Sequence, residues 1–469
     1  MNNKADIQAY SLKRIFKVDS IILVEWLSIV LVQPILQKVF GFQNTIVGYL
    51  DEIFYFLFVV ILIRYWNLLV RNKYVKLICI SYLIFTVFGI ISAFVFSYTR
   101  SSSQIAFQFF LDLKLLAFIL VFFLYIPSWR AILQFERCVK FALLLGIPFC
   151  VFQLLYPSIY DSVFDPEGTR HLFKAGTFEL QRLNGLFWHP SLTAFFTAFA
   201  SFYFIYIVRN RLFAGLALVQ LILTFERQEI ATFFILIFLT FYMYSNRLYR
   251  IRVLLLISTM VAIAISLYYD AIASYLSVAL RTTSLNDIAS SDEPRIIIYW
   301  RGILLAYQHF PFGVGFGNYG GFAAVKYDAV LYHNFHFDQL WWFKDEAFLT
   351  DTYYPHIYAE AGIIGFVFYS LSLFCIFKLF YSSVKFPKLR GAIFFCILFL
   401  FTVALTAPVL NNPFSLSILG VFLAVIRRIN IDKVLQETKL RSANNSGQLS
   451  CLALNTDDGK DLKTDAQKA

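Results

Sequence analysis

Charge is scarce in this chain. Only 15% of its 469 residues are Asp, Glu, Lys or Arg, against 59% hydrophobic and 19% aromatic, and the mean hydropathy is +0.68. That excludes an ordinary soluble domain, in which roughly a quarter of positions carry charge. The apolar residues gather into runs of roughly 17–25, the length with which a helix crosses about 30 Å of hydrocarbon. Lipid offers a bare backbone no hydrogen-bond partner, so these runs must be helical. Cysteine is also sparse. Cys79, Cys150, Cys375 and Cys396 fall in apolar runs and Cys138 and Cys451 in or beside basic segments. No disulfide framework or thiol metal site is therefore expected in the remaining connectors. No solenoid-period repeat is visible. The first apolar run is long and has no small-residue cleavage site, so it reads as an uncleaved anchor rather than a signal peptide.

The fold class expected is all-α, a polytopic membrane protein of about twelve spans. They lie near residues 19–39, 46–63, 76–97, 104–126, 139–156, 188–208, 211–225, 229–245, 251–268, 356–377, 391–408 and 413–426. A formal net charge of +11 could point to nucleic acid as a partner, but the basic residues concentrate in alternate short connectors. Lys4, Lys13, Arg14 and Lys17 precede the first span, and Arg64, Arg71, Lys73 and Lys76 follow the second. Later groups are Arg130, Arg137 and Lys140; Arg209 and Arg211; Arg247, Arg250 and Arg252; Lys378, Lys385, Lys388 and Arg390; and Arg427, Arg428 and Lys433. By the positive-inside rule these connectors and both termini are cytoplasmic, with no nucleic acid required.

The opposite connectors include two long ones, about 157–187 and about 269–355, the second rich in Tyr, Trp, Asp and Gly. Function is expected there, since a large aromatic external loop is more than a spacer. Domain boundaries follow: a cytoplasmic start at 1–18, nine spans over 19–268, the large loop at 269–355, three spans over 356–426, and a polar cytoplasmic tail at 427–469 expected to be disordered.

Within the large loop, GFGNYG formally matches the G-x-G-x-x-G dinucleotide fingerprint. The fingerprint needs a strand before it and a helix after it. Here PRIIIYWRGILLAYQHF precedes it with apolar residues at helical spacing, ended by Pro311. The glycines are therefore expected to form a turn that leaves a helix and lies close to another backbone.

Several charges stand where membranes tolerate them poorly. Glu25, Asp51, Glu52, Asp112 and Lys114 lie in or beside apolar runs, and each costs about 2.5–3.5 kcal/mol at mid-helix unless paired or wet. Ion pairing, for example of Lys114 with one of the carboxylates, or a polar floor beneath an external site would account for them. Arg182, Arg227, Arg295 and Arg301 stand at the outer ends of spans, where topology gives no reason for them. Converging guanidinium groups suit phosphate oxygens. The alternative is local pairing, of Arg227 with Glu226 or Glu229 and of Arg295 with Asp292 or Glu293. Lys174, beside Arg170 and His171, could add a looser attracting patch or simply be solvated. In TDTYYPHIYAEAG, Asp351, His356 and Glu360 stand at a span entrance, with His356 and Glu360 four residues apart on one face. Asp351 or His356 could take a proton from a hydroxyl, or serve as a helix-start anchor and a satisfied interfacial histidine. Trp341, Trp342, Tyr353 and Tyr354 could stack on sugars, or anchor the membrane interface. The histidines show no convincing metal spacing, HNFH being the nearest approach.

Three blocks resemble the bacterial Wzy-type O-antigen polymerases and the related O-antigen ligases. RLNGLFWHPSLTAFF is similar to the family's Arg-x-x-Gly segment at a span entry. RIIIYWRGILLAYQHFPFGVGFGNYG resembles the segment that opens its large periplasmic loop, and DTYYPHIYAEAGIIGFVFY resembles the Glu-x-Gly-x-x-Gly helix that closes it. The likeness extends over about 20–430. In ligases a His-Asn pair stands shortly before that helix's glutamate; Asp351-Thr352 takes its place here, which favours a polymerase.

The resemblance implies transfer of glycan from undecaprenyl pyrophosphate to a second lipid-linked repeat unit at the outer face of the bacterial inner membrane. No metal or nucleotide cofactor is implied. Arg182 and Arg295 would hold the pyrophosphate with Arg227 in support, Asp351 or His356 would meet the acceptor hydroxyl, and Arg301, Lys174 and Glu360 would contribute to substrate binding. Membrane lipid, a chain-length regulator and a flippase are candidate partners. Alternatives are a ligase, a transporter or flippase of lipid-linked sugars, and a non-catalytic assembly scaffold. Transporters commonly show paired halves with broken helices, and no such symmetry is visible here.

Overall fold

The computed structural model describes residues 15–40, 46–96, 98, 101–164, 172–175, 178–244, 294–335, 337, 343 and 349–445. The chain begins with α1 (Ile15–Trp26), which passes through a π turn into α2 (Gln33–Phe40). Then come α3 (Leu50–Leu69), α4 (Lys73–Val95), α5 (Ser102–Leu124), α6 (Trp129–Leu155) and the short α7 (Pro157–Phe164). A hairpin of β1 (Leu172–Ala175) and β2 (Phe178–Gln181) pairs Leu172 with Gln181 and Ala175 with Phe178. It is followed by α8 (Pro190–Phe202), α9 (Arg211–Leu223) and α10 (Arg227–Tyr244). The later part holds α11 (Pro294–Gln308), α12 (Phe322–Lys326), α13 (Val330–Asn334), α14 (Tyr354–Ser382), α15 (Pro387–Val403) and α16 (Pro413–Asn445).

Among the described residues, seven helical runs are long and apolar enough to span a membrane: Val18–Gln37, α4, α5, α6, Pro190–Val208, α14 and Pro413–Leu440. The protein is a multi-pass membrane protein. Four further expected spans coincide with helices that are either short (α9, α15) or charged in the first turn (α3, α10). The span expected at 251–268 lies outside the described residues.

Local chemistry starts these helices where it should. The side chains of Asn72, Ser128 and Asn210 accept backbone N–H groups of Tyr74, Ala131 and Phe213, capping α4, α6 and α9. His189 Nδ1 accepts from Ser191 N ahead of Pro190, so the His-Pro pair is a helix start. In the core α14 lies along α4, α8 along α9, and α10 along α15. Aromatic rings fill the seams: Phe202 stacks on Phe395 at 3.8 Å, and Phe399 meets Phe199 edge to face at 5.4 Å.

Because successive helices reverse direction, their ends sort into two groups. At one end the basic connectors meet: Lys140 lies over Phe213, Lys388 over Tyr206 and Lys433 over Phe386. The opposite end gathers the starts of α8, α10, α11 and α14 with the end of α15, and that is where Arg182, Arg227 and Arg295 lie.

Two differences from expectation have plain causes. The last helix does not stop at 426, and residues 446–469 of the expected tail lie outside the described residues. It continues to Asn445, carried by the Arg428–Asp432 pair one turn apart at 3.0 Å and by Lys385 reaching Glu437 at 2.7 Å. The large loop carries three helices of its own in its described part, and α11 ends three residues before Pro311 as its periodicity predicts.

Candidate functional site

The glycine stretch forms a wedge between three helices. It follows a helix rather than a strand, and its backbone fits a break in α14, where Gly362 adopts φ +70° and interrupts the helical pattern. The Ala359 and Glu360 carbonyls accept the N–H groups of Val314 and Gly315, each at 2.8 Å. Gly313 and Gly362 lie backbone to backbone. A Cβ on Gly313 would stand 2.4 Å from Gly362 N, and one on Gly362 would stand 2.2 Å from Pro311 O. Phe316 N donates to Gly89 O on α4 at 3.1 Å. Irregular backbone at this depth is tolerable because it is enclosed by protein.

Glu360 closes this assembly from within. Fully buried, it accepts the Tyr319 N–H on Oε1 at 3.0 Å, while the Tyr319 hydroxyl donates to the Ile298 carbonyl of α11 at 2.8 Å. A second tyrosine, Tyr358, donates to the neighbouring Tyr299 carbonyl at 2.9 Å. The loop therefore clamps α11 to α14 and sets where α11 presents its arginines. Glu360 was expected at the substrate; the structure places it inside the loop, with Oε1 held by the Tyr319 N–H and Oε2 buried without a hydrogen-bond partner.

At the end of the bundle opposite the basic connectors, Arg295 donates to Asp351 Oδ2 at 3.0 Å, with half of the Arg295 side chain and 35% of Asp351 exposed. Nearby, the Tyr299 hydroxyl donates to Leu405 O at 2.6 Å, tying α11 to the end of α15. Arg182 faces Glu226 at 3.6 Å, and Glu226 also accepts from Ser191 Oγ at 3.1 Å. The Arg182 backbone is fixed to α6: Gln153 donates to its carbonyl at 3.0 Å and accepts from Asn184 N at 2.9 Å. Its buried Nε has no hydrogen-bond partner. Glu229, only 3% exposed in the first turn of α10, lies within electrostatic range of Glu226, Arg295 and Arg182. Arg182 and Arg295, more than a hundred residues apart in sequence, thus each meet a carboxylate of their own, Glu226 and Asp351, and both act electrostatically on Glu229. A mouth of this kind holds guanidinium groups rigidly beside acidic ones, and an anion can take up their spare donors.

A second polar group is buried deeper. His356 Nε2 lies 3.3 Å from Asp112 Oδ1, with both side chains at most 2% exposed. The same oxygen accepts from Gln108 at 3.1 Å and Asn411 at 3.4 Å, whereas Asp112 Oδ2 has no partner. His356 is thus buried beside Asp112 rather than at the interface. Lys114, two residues further along α5, pairs with Asp51 at 3.0 Å and Glu52 at 3.1 Å, as a buried cation requires. Glu25 accepts from Ser417.

Arg227 opens α10 beside Glu226. Arg301 lies over the Phe335 ring at 5.3 Å. Lys174 is in β1, and its side chain lies outside the described residues. Tyr353 is fully buried with its hydroxyl 2.5 Å from that of Tyr369, so it offers no face to a sugar, while the half-buried Tyr354 donates its hydroxyl to Phe401 O at 2.9 Å. Trp341, Trp342, Asp292, Glu293 and His336 lie outside the described residues. His333 of HNFH is held by Asp328 at 2.7 Å. Sequence reasoning treated Glu226 and Glu229 only as partners for Arg227. Two acids flanking an arginine at a span entrance were the signal that marked them.

Residues 212–370 match the family described as O-antigen ligase (Wzy_C). The match includes Arg227, Glu229, Arg295, Arg301, Asp351, His356 and Glu360, with Arg182 and Lys174 before it. A comparison with curated proteins finds no match.

Proposed function

We propose, from a chain whose residues 212–370 carry an O-antigen ligase family domain, that it is a glycosyltransferase of the polymerase kind. It would join undecaprenyl-pyrophosphate-linked repeat units at the outer face of the bacterial cytoplasmic membrane. The observation that carries this reading is the gathering of Arg182, paired with Glu226 at 3.6 Å, and Arg295, paired with Asp351 at 3.0 Å, within electrostatic range of Glu229 at the end of the bundle opposite the basic connectors. Asp351-Thr352 at the entrance to α14 supports polymerase over ligase, since ligases have His-Asn there.

The chemistry needs little beyond this mouth. An acceptor hydroxyl attacks the anomeric carbon of the donor glycan, the new C–O bond forms as the bond to pyrophosphate breaks, and negative charge grows on the departing diphosphate. A quarter of the Arg182 side chain and half of the Arg295 side chain are exposed, so both guanidinium groups can present donors to phosphate oxygens. Asp351 keeps one oxygen beyond its bond to Arg295 and takes the acceptor proton in this scheme; His356, enclosed with Asp112, does not reach the mouth.

Deletion of the chromosomal copy tests the reading. Surface glycan reduced to single capped repeats supports a polymerase. Long unattached lipid-linked chains would make it a ligase, and repeats trapped on the cytoplasmic side would make it a flippase.

A further inference from the structure

Helix α11 carries an exposed apolar stripe that the glycosyl-transfer reading does not use. Ile296 is 47% exposed, Ile303 51%, Tyr307 75% and, just past the helix end, Phe310 62%. Their spacing of seven, four and three residues keeps them on one face. The opposite face is buried: Ile297, Ile298, Leu305 and Ala306 pack inward. Polar Arg295 and Gln308 are exposed at the margins.

A stripe this apolar costs free energy in water, so something covers it. The neighbouring surface says what. His309, at the end of α11, packs edge to face against Phe96 at 4.8 Å, beside the last turn of α4, where Phe94 and Val95 point outward. On α14, which α11 crosses, Ile363 and Val367 are likewise exposed. Both are candidate membrane spans, and their outward apolar side chains meet lipid. The stripe continues that lipid-facing surface to the end of the bundle.

We propose that α11 is a membrane-surface helix whose Ile296, Ile303, Tyr307 and Phe310 seat in the lipid leaflet at that end of the bundle. Tyrosines at such a boundary put the ring in hydrocarbon and the hydroxyl among headgroups. Arg295, at the stripe's margin, is then held at headgroup height. The seating holds whether or not the chain transfers sugars.

The test uses full-length protein in nanodiscs of phosphatidylethanolamine and phosphatidylglycerol. A fluorescent amino acid replaces Tyr307 in one variant, Phe310 in a second and Gln308 in a third, all exposed positions. Phospholipids brominated on their acyl chains are expected to quench the probe at 307 and 310 several-fold more than at 308, and aqueous iodide to show the reverse order. Iodide quenching of 307 and 310 as strong as that of 308, with no effect of brominated lipid, would overturn the proposal and assign the stripe to water or to a protein partner. Because the readout is quenching rather than turnover, it is independent of the catalytic assignment.

Discussion

Arg295 and Asp351 are 56 residues apart and bonded at 3.0 Å, so the two ends of the described part of the large loop close on each other at the mouth. The bond gives Asp351 two duties, anchoring a guanidinium and offering its second oxygen to a hydroxyl. Asp351→Asn keeps an acceptor for Arg295 and removes the base. It is expected to slow polymerisation by about 10²–10⁴-fold while leaving donor binding nearly unchanged. Steady-state kinetics with purified lipid-linked repeat units would check this; a loss confined to KM would show that Asp351 only anchors.

Gly313 and Gly362 supply a sharper structural prediction. Each has a positive φ, and a methyl group on either would press on backbone atoms at 2.2–2.4 Å. Gly362→Ala is expected to destabilise by roughly 2–6 kcal/mol from strain and overpacking together. Gly215→Ala is the control: nothing lies within 4 Å of the added carbon, so helix propensity alone acts and stability rises by about 0.5–1 kcal/mol. Thermal unfolding in detergent separates the two, and equal midpoints would contradict the wedge.

Lys114 neutralises two carboxylates in a poorly hydrated place. Lys114→Met strands both and is expected to cost about 3–5 kcal/mol, with much of the loss recovered on adding Asp51→Asn and Glu52→Gln. Additive losses in the triple variant would show that the three groups are not energetically linked.

Glu360 reaches the mouth only through the loop, by way of Tyr319 and the Ile298 carbonyl. Tyr319→Phe removes that single hydroxyl contact and keeps the ring. It is expected to lower turnover several-fold by loosening α11, with a stability loss near the roughly 1 kcal/mol of one hydrogen bond. Unchanged turnover would mean that Tyr358 alone positions the helix.

What the sequence made legible was whatever follows from local pattern or from a cost that must be met. Hydrocarbon thickness made the membrane architecture readable, the 3.6-residue period and Pro311 located α11, and the expense of a lone buried cation required a partner for Lys114. The glycine turn's close approach to another backbone was readable from glycine's freedom, but not that Gly362 would be what it meets. Contacts across long separations left no local trace. Arg295 could as well have paired with its sequence neighbours as with Asp351, and His356 finds Asp112 244 residues away. Glu360 looked like a site residue because a buried carboxylate at a span entrance has the same sequence pattern whether it meets substrate or backbone. The helix of the polar tail was missed because hydropathy marks where the membrane ends, not where a helix does.

In the proposed reaction Arg182 and Arg295 together hold the diphosphate of the lipid carrier. The most direct measurement is chain length formed in vitro from lipid-linked repeat units by the purified wild type, Arg182→Ala, Arg295→Ala and the double variant, each first shown to be folded by thermal unfolding. Either single change is predicted to lower turnover by about 10²-fold or more, as for loss of one charged donor at a developing anion, and the double change to abolish chains beyond one repeat. Full-length chains at an undiminished rate from both single variants would contradict the account.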